Sequence, residues 1–241
     1  MSRLPHLAYW LLGLILISPL SLSAVASEVL EPFSAVFKVK RNIIPLGRLT
    51  LKFDLDQSGM AYTYTAHTQP GILAGIFSRH EVIEESSGII HEGQIIPDHY
   101  TYKDWDENSE NSVIKFNWPN QSAATTSHDI TWSQNITNGT QDKLSQQLQV
   151  RVHLALGKQE ISYQVADGGK LKRYHFQVVG EELVETDDGT YHCLRVERSK
   201  ASRESDYTIW FATELGYLPI KIERIQGGKT YRMVLNELSM P

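Results

Sequence analysis

The octapeptide LTLKFDLD, residues 49–56, puts Leu49, Leu51, Phe53 and Leu55 on one side of an extended chain and Thr50, Lys52, Asp54 and Asp56 on the other. Strand side chains point alternately to the two faces of a sheet, so this spacing describes one buried face and one wet face. The pattern recurs in YTYTAHT (62–68), SVIKFNW (112–118), ISYQVA (161–166), LKRYHFQVVG (171–180), DYTIWFA (206–212), LPIKIERI (218–225) and TYRMVLNEL (230–238). These runs are rich in Tyr, Phe, Ile, Val and Thr, which suit a pleated, half-buried surface. Ser58-Gly59, Glu92-Gly93, Asp167-Gly168-Gly169, Asp188-Gly189 and Gly227-Gly228 separate them, and each offers the positive φ of a tight hairpin. The spacing predicts about a dozen strands in an antiparallel meander. So many strands cannot lie flat without exposing long edges, and they curl into a barrel- or spiral-like sheet. The expected fold is all-β, one domain over residues 27–241, with no linker-like break.

One segment departs from alternation. TQDKLSQQLQVRVHLALGK, residues 140–158, spaces Leu144, Leu148, Val152 and Leu156 four apart, the stripe of an amphipathic helix. Thr140 is the expected N-cap, with Asp142 near the positive end of the helix dipole, and Gly157-Lys158 is the expected stop. Such a helix has to lie against or inside the curled sheet.

The amino end reads differently. Arg3, the apolar run LAYWLLGLILIS (7–18) and the small residues Ala24-Val25-Ala26 form a secretory signal peptide over residues 1–26, cleaved after Ala26. Its apolar core is well short of the roughly 20 residues that cross a bilayer, so no transmembrane segment is expected after cleavage. The expected location is the periplasm. Cleavage takes one positive charge from a formal net charge of −5. An acidic chain without a basic run is a poor match for nucleic acid.

Candidate chemistry is sparse. Cys193 is the single cysteine, so no disulfide framework supports the fold. It sits in a strand beside Arg195 with His192 on the opposite face, and reads as a wall residue. The histidines are scattered, without the spacing of a metal site, and no cofactor is expected. Glu81, Glu84 and Glu85 form an acidic patch beside Ser86 and Ser87. Adjacent Glu84 and Glu85 in a strand point to opposite faces, so they are not a ready acid–base pair. The inward one needs a partner, with Arg79, Arg195 and Arg224 as candidates. No catalytic residue is assigned. The aromatic residues Phe53, Tyr64, Trp118, Trp132 and Trp210 are the candidate lining of an apolar ligand cavity. QPGILAGIFSR (69–79) reads as a buried turn or a lip over that cavity, and DWDENSENS (104–112) as a polar hairpin tip.

The run GGKLKRYHFQVVGEELVETDDGTYHCLRVERSK…YTIWFATELGYLPIKIE within residues 168–223 resembles the carboxyl half of the exported bacterial proteins of the DUF3108 family. FSAVFKV, EESSG, residues 97–102 and QDKLS match the amino half more loosely, and residues 104–129 depart from the pattern. The resemblance implies a bacterial envelope protein and assigns no activity and no site residue. In general look it is similar to spiral-sheet envelope-integrity proteins and to the open half-barrels of lipoprotein carriers, a likeness of fold alone. The expected function is a non-enzymatic periplasmic protein that binds or scaffolds, holding a lipid or other amphipathic molecule or meeting an envelope protein partner. The alternative is a purely structural interaction module, and an envelope hydrolase using Glu84, Glu85 or Cys193 stands behind both.

Overall fold

The computed structural model describes residues 22–71, 80–105, 111–200 and 207–241. Most of the expected signal peptide, most of the 69–79 turn and the centre of the 104–112 hairpin tip lie outside the described residues. The strands are β1 (Phe33–Arg41), β2 (Ile44–Leu55), β3 (Ala61–Pro70), β4 (Val82–His91), β5 (Gln94–Asp104), β6 (Ser112–Asn117), β7 (Ser122–Ser127) and β8 (Ile130–Asn135). After a helix come β9 (Glu160–Asp167), β10 (Lys170–Glu185), β11 (Thr190–Lys200), β12 (Tyr207–Ala212), β13 (Leu218–Gln226) and β14 (Lys229–Ser239). The dozen expected strands become fourteen, partly because the polar stretch SAATTS–HD–ITWSQN forms the hairpin β7–β8.

All fourteen form one antiparallel sheet in the order β8-β7-β6-β5-β4-β3-β2-β1-β14-β13-β12-β11-β10-β9. The chain starts in the middle, meanders to one edge at β8, crosses to the other edge at β9, and meanders back until β14 pairs with β1. Because neighbours are antiparallel, the β1–β2, β3–β4, β11–β12 and β13–β14 connections lie at one end of the sheet, called here the upper end. The lumen-facing residues are those of the predicted buried stripes. Phe37, Leu51, Phe53, Tyr64, Ile220 and Leu235 are all within 2% of full burial.

The two edges do not pair with each other. Residues 136–142 carry the chain up along β9, where Gln141 N–H donates to Gln164 O (2.9 Å) and Gln141 O accepts from Ala166 N–H (2.8 Å). Gln134 of β8 donates to Gly169 O in the β9–β10 turn, so a side chain bridges part of the remaining gap. The chain then turns into α2 (Ser145–Ala155), which runs back down and packs against β5 and β9.

The helix starts later than Thr140 and is capped by a different residue. Asp142 Oδ1 accepts from the N–H groups of Leu144 (2.7 Å) and Ser145 (2.8 Å), while Ser145 Oγ accepts from Asp142 N–H (2.8 Å). This reciprocal arrangement is a capping box. Thr140 instead closes a turn onto Thr137 O (2.7 Å), because the Gln141 bridge to β9 holds the backbone extended there. The apolar stripe is also narrower than the sequence implied: Leu144, Leu148 and Val152 are buried, but Leu156 lies past the last turn and is 37% exposed. Gln146, Gln149 and Arg151 are buried as well, which places the helix inside the curled sheet with protein on every side. Its polar groups find strand backbone there. Gln149 Oε1 accepts from Ile95 N–H (2.7 Å), and its amide donates to Gly93 O (3.2 Å).

A short helix, α1 (Leu22–Val29), spans the expected cleavage point after Ala26 and packs on α2. On its far side Val29 and Leu30 are buried. Arg151 donates from Nη2 to Val29 O (2.6 Å) and from Nε to Gly216 O (2.9 Å), with its guanidinium 5.2 Å from the centre of the Phe33 ring. Gly216 has φ 56°, and a Cβ there would sit 2.6 Å from Val29 O, so no larger residue fits beneath this latch.

The cap has a pH signature. Burial raises the Asp142 carboxyl to about 6, outweighing the hydrogen bonds from Ser145, Ser86 and Leu144 that favour its charged form. Below about pH 6 the folded chain holds a proton that the unfolded chain releases down to 3.8, so stability from this group grows as pH falls through that window. His153 acts oppositely: burial, then Lys158, lowers it to about 4 from 6.5, so acid costs stability as the unfolded chain takes up the proton first. Asp142→Asn keeps the acceptor, and its melting temperature between pH 4 and 6 should lose the acid-side gain relative to wild type. Asp142→Ala should lose about 2 kcal/mol at neutral pH. Parallel pH profiles of the two Asp142 proteins would refute the assignment.

Candidate functional site

The helix does not fill the sheet. Between its first turns and the upper half of the wall is a partly open cavity of about 290 Å³. One side is formed by Leu49, Leu51, Ala66 and Thr68 of β2 and β3, the facing side by Phe176, Ile209, Phe211, Ile222 and Met233, and the floor by Leu144, Gln146, Gln147 and Val150. The register explains the apolar wall. Ile209 faces Ile222 and Ile222 faces Met233 across β12, β13 and β14, and Met233 faces Val39 of β1. Directly opposed residues share a face, so these four make one continuous lumenal row.

Towards the upper end the lining becomes polar. Glu84 accepts from Tyr100 O–H and pairs with Lys143 Nζ (2.8 Å), whose charge also lies 5.3 Å from the Tyr102 ring centre. Glu84 is thus the inward carboxylate, and its partner is Lys143 of the segment entering α2. It is neither Arg195 nor Arg224, and Arg79 lies outside the described residues. Glu85 is exposed on the other face. Across the cavity Asp167 accepts from Lys172 Nζ (2.6 Å) and Tyr174 O–H (2.9 Å); burial pushes its carboxyl up, but these bonds hold it below its ordinary value. Arg198 lies over the Tyr207 ring at 3.9 Å and the Tyr174 ring at 4.7 Å.

A second, more open recess of about 910 Å³ lies at the lower end, between the 137–141 segment, the β4–β5 hairpin and β9. It is the larger of the two, with Ile89, Ile95, Ile96 and Trp118 beside Gln141, Gln149, His153, Gln164 and Arg173. Tyr163 O–H and His153 Nδ1 are 2.7 Å apart there, with their rings stacked. The smaller cavity is the less open of the two and is backed by the continuous apolar row Ile209–Ile222–Met233, which suits an apolar group.

The candidate aromatic residues are dispersed. Phe53 and Tyr64 lie in the closed core with Phe33 and Tyr62, and Tyr64 O–H donates to Gln147 Oε1 of α2 (3.1 Å). Trp118 stacks on Phe116, donates to Pro97 O (2.8 Å) and lines the larger recess. Trp132 is on the edge strand β8, 44% exposed and packed near Gly169. Trp210 is on the opposite face of β12 from Ile209, under Lys221 Nζ (3.9 Å) and bonded to Glu182. The 290 Å³ cavity is walled instead by other Leu, Ile, Met, Phe and Tyr residues, which carry no signal beyond the common alternation.

The remaining reactive groups are occupied structurally. Ser86 donates to Asp142 Oδ2 (2.7 Å) and lies 3.1 Å from Tyr62 O–H, all three buried. His67 pairs with Glu81. Among the described residues no group of three or more His, Cys, Asp or Glu is placed to hold a metal ion. No helix among them is long and apolar enough to cross a membrane. Cys193 is buried on β11 with Sγ 3.6 Å from Tyr191 O. Burial, then the charges of Glu214 and Glu182, pushes its thiol up to about 12.

The sequence model of the family described as "Protein of unknown function (DUF3108)" matches residues 36–235. Among solved structures, the β-barrel-like protein of the domain of unknown function DUF1849 from Brucella abortus superposes with a TM-score of 0.60 at 13% identity. The match covers 88% of this chain and 98% of that one. At that identity the likeness is one of fold. No curated protein matches. For the thiol, iodoacetamide at pH 8 should leave Cys193 unmodified in the native protein and label it fully in denaturant; native-state labelling would mean an accessible thiolate.

Proposed function

The chain belongs to the DUF3108 family of proteins of unknown function, and we propose that it is a non-enzymatic binding protein of the bacterial cell envelope, exported to the periplasm, that holds one apolar or amphipathic molecule inside its curled sheet. The observation that carries this reading is the cavity between α2 and the apolar rows of β2, β3 and β12–β14. Its volume is at the small end of the roughly 300–1,000 Å³ of ligand sites, which suits a single chain. Apolar burial of about 25 cal/mol per Å² would retain the tail, and the polar upper lining would orient the other end. The export part of the reading rests on Arg3, the apolar run at 7–18 and Ala24-Val25-Ala26. A binding role also agrees with the state of the reactive groups, since Glu84 is tied to Lys143 and Tyr100, and the Cys193 thiol is buried.

A structural interaction role has one observation of its own. β8 has a free outer edge with Ile130 55% exposed, a surface that accepts a partner strand. Native mass spectrometry of gently purified protein decides between the two: a co-purifying amphiphile near one-to-one supports the binder, and a bare chain joined to a second protein supports the module.

Filling the cavity is the direct test. Ala66 lines it, so Ala66→Phe should fold with a melting temperature equal to or above wild type and bind a dodecyl-chain probe at least tenfold more weakly. A loss of about 1–3 kcal/mol with binding retained would mean that the side chain was forced into packed core.

A further inference from the structure

The upper margin of the cavity carries an ordered row of side chains. Arg198 of β11 faces Tyr207 of β12, Arg224 of β13 faces Tyr231 of β14, and Tyr231 faces Arg41 of β1. Tyr207 and Arg224 continue the β12–β13 register past Thr208 and Glu223, and the Arg224 guanidinium lies 5.2 Å from the Tyr207 ring centre. Each of the five is two residues along its strand from an apolar lumenal residue: Val196, Ile209, Ile222, Met233 and Val39. Alternation therefore turns the whole row inward. An Arg-Tyr-Arg-Tyr-Arg band thus lies one layer above the apolar wall.

Among the cations near the cavity, Lys143 and Lys172 are matched by Glu84 and Asp167. Arg224 has no carboxylate within ion-pair distance among the described residues, and the nearby Glu223 points to the other face, where Arg232 and Lys221 hold it. Planar guanidinium groups supported on tyrosine rings suit the oxygens of a carboxylate or phosphate.

Building on the cavity reading, we infer that the ligand is a single-chain amphiphile with an anionic head, its tail against Ile209, Ile222 and Met233 and its head against Arg224, the guanidinium at the centre of the row. Arg224 selects the charge, and the cavity selects one chain.

Four probes with the same dodecyl tail test this by calorimetry on the purified protein, below their micelle concentrations: dodecanoate, dodecyl phosphate, dodecyl maltoside and dodecyltrimethylammonium. Both anions should bind at least tenfold more tightly than the cation, with the gap narrowing as salt rises. The stronger of the two anions identifies carboxylate or phosphate as the head. Arg224→Gln should weaken the anions about tenfold and leave the maltoside unchanged. Arg224→Lys should restore most of the difference, and Lys221→Gln, on the opposite face, should change nothing. Should Arg224→Gln fail to melt cooperatively, Arg224→Met, which keeps the length of the side chain without its charge, makes the same test. Equal binding of all four heads, or an Arg224→Gln protein that keeps the preference, overturns the anionic head and leaves the cavity reading standing. Binding of none of them overturns both.

Discussion

Backbone groups on the outer strands of an open sheet need partners, and here the crossover supplies some of them to β9. Residues 136–142 leave β8, add a short parallel bridge to β9 through Gln141, and turn inward at Asp142. The rest of the interior follows from that path. It sends α2 into the lumen rather than over the outside. It also sets the depth at which the helix begins, and so the height of apolar wall left uncovered above it. The Asp142 carboxylate fastens the turn to β4 through Ser86, which ties the helix origin back to the β1–β8 half of the sheet while Gln141 bridges to β9.

A helix enclosed on all sides has to place its polar residues among strands. Gln149 and Gln141 bond the backbone of the β4–β5 hairpin at Gly93 and Ile95, and Arg151 bonds the carbonyls of Val29 and Gly216. Burial lowers the Arg151 pKa only to about 10, so the core holds a full positive charge at neutral pH, set against carbonyl dipoles and the face of Phe33. Pairing a buried cation with backbone oxygen instead of a carboxylate makes its partners insensitive to acid. The interior is then filled by the helix low down, apolar above it and polar at the upper margin.

Much of the architecture was legible in the sequence because alternation is a local signal. LTLKFDLD, LPIKIERI and TYRMVLNEL each declare their inner face without reference to any partner. The β7–β8 hairpin was not legible: SAATTS and ITWSQN have little apolar contrast, and four of the six β8 residues are exposed in succession. The helix start was misplaced because Thr140 has good capping chemistry, while the Gln141 contact that holds it extended comes from residues some way along the chain. The cavity and its arginine band were invisible for a related reason. Arg41, Arg198 and Arg224 come from separated segments, and only strand register brings them level. The aromatic residues singled out were a poor guide: Phe53 and Tyr64 sit where the core is full, and the rings that line the cavity are Tyr174, Phe176, Tyr207 and Phe211, which share the alternation of every other strand.

The pairing of β1 with β14 also governs the order of events during folding. Ser34 faces Ser239, so the middle of the sheet is sewn together from the two ends of the chain. A chain emerging amino end first can form the β1–β8 meander early, but one side of β1 stays open until the last residues arrive. Until then the unfinished sheet presents a central strand as a bare edge, the surface most prone to pair with another chain. Closure of that seam is a long-range, late contact of the kind that slows folding. The time between first strand and last is thus the interval in which this protein most needs to be kept from its neighbours.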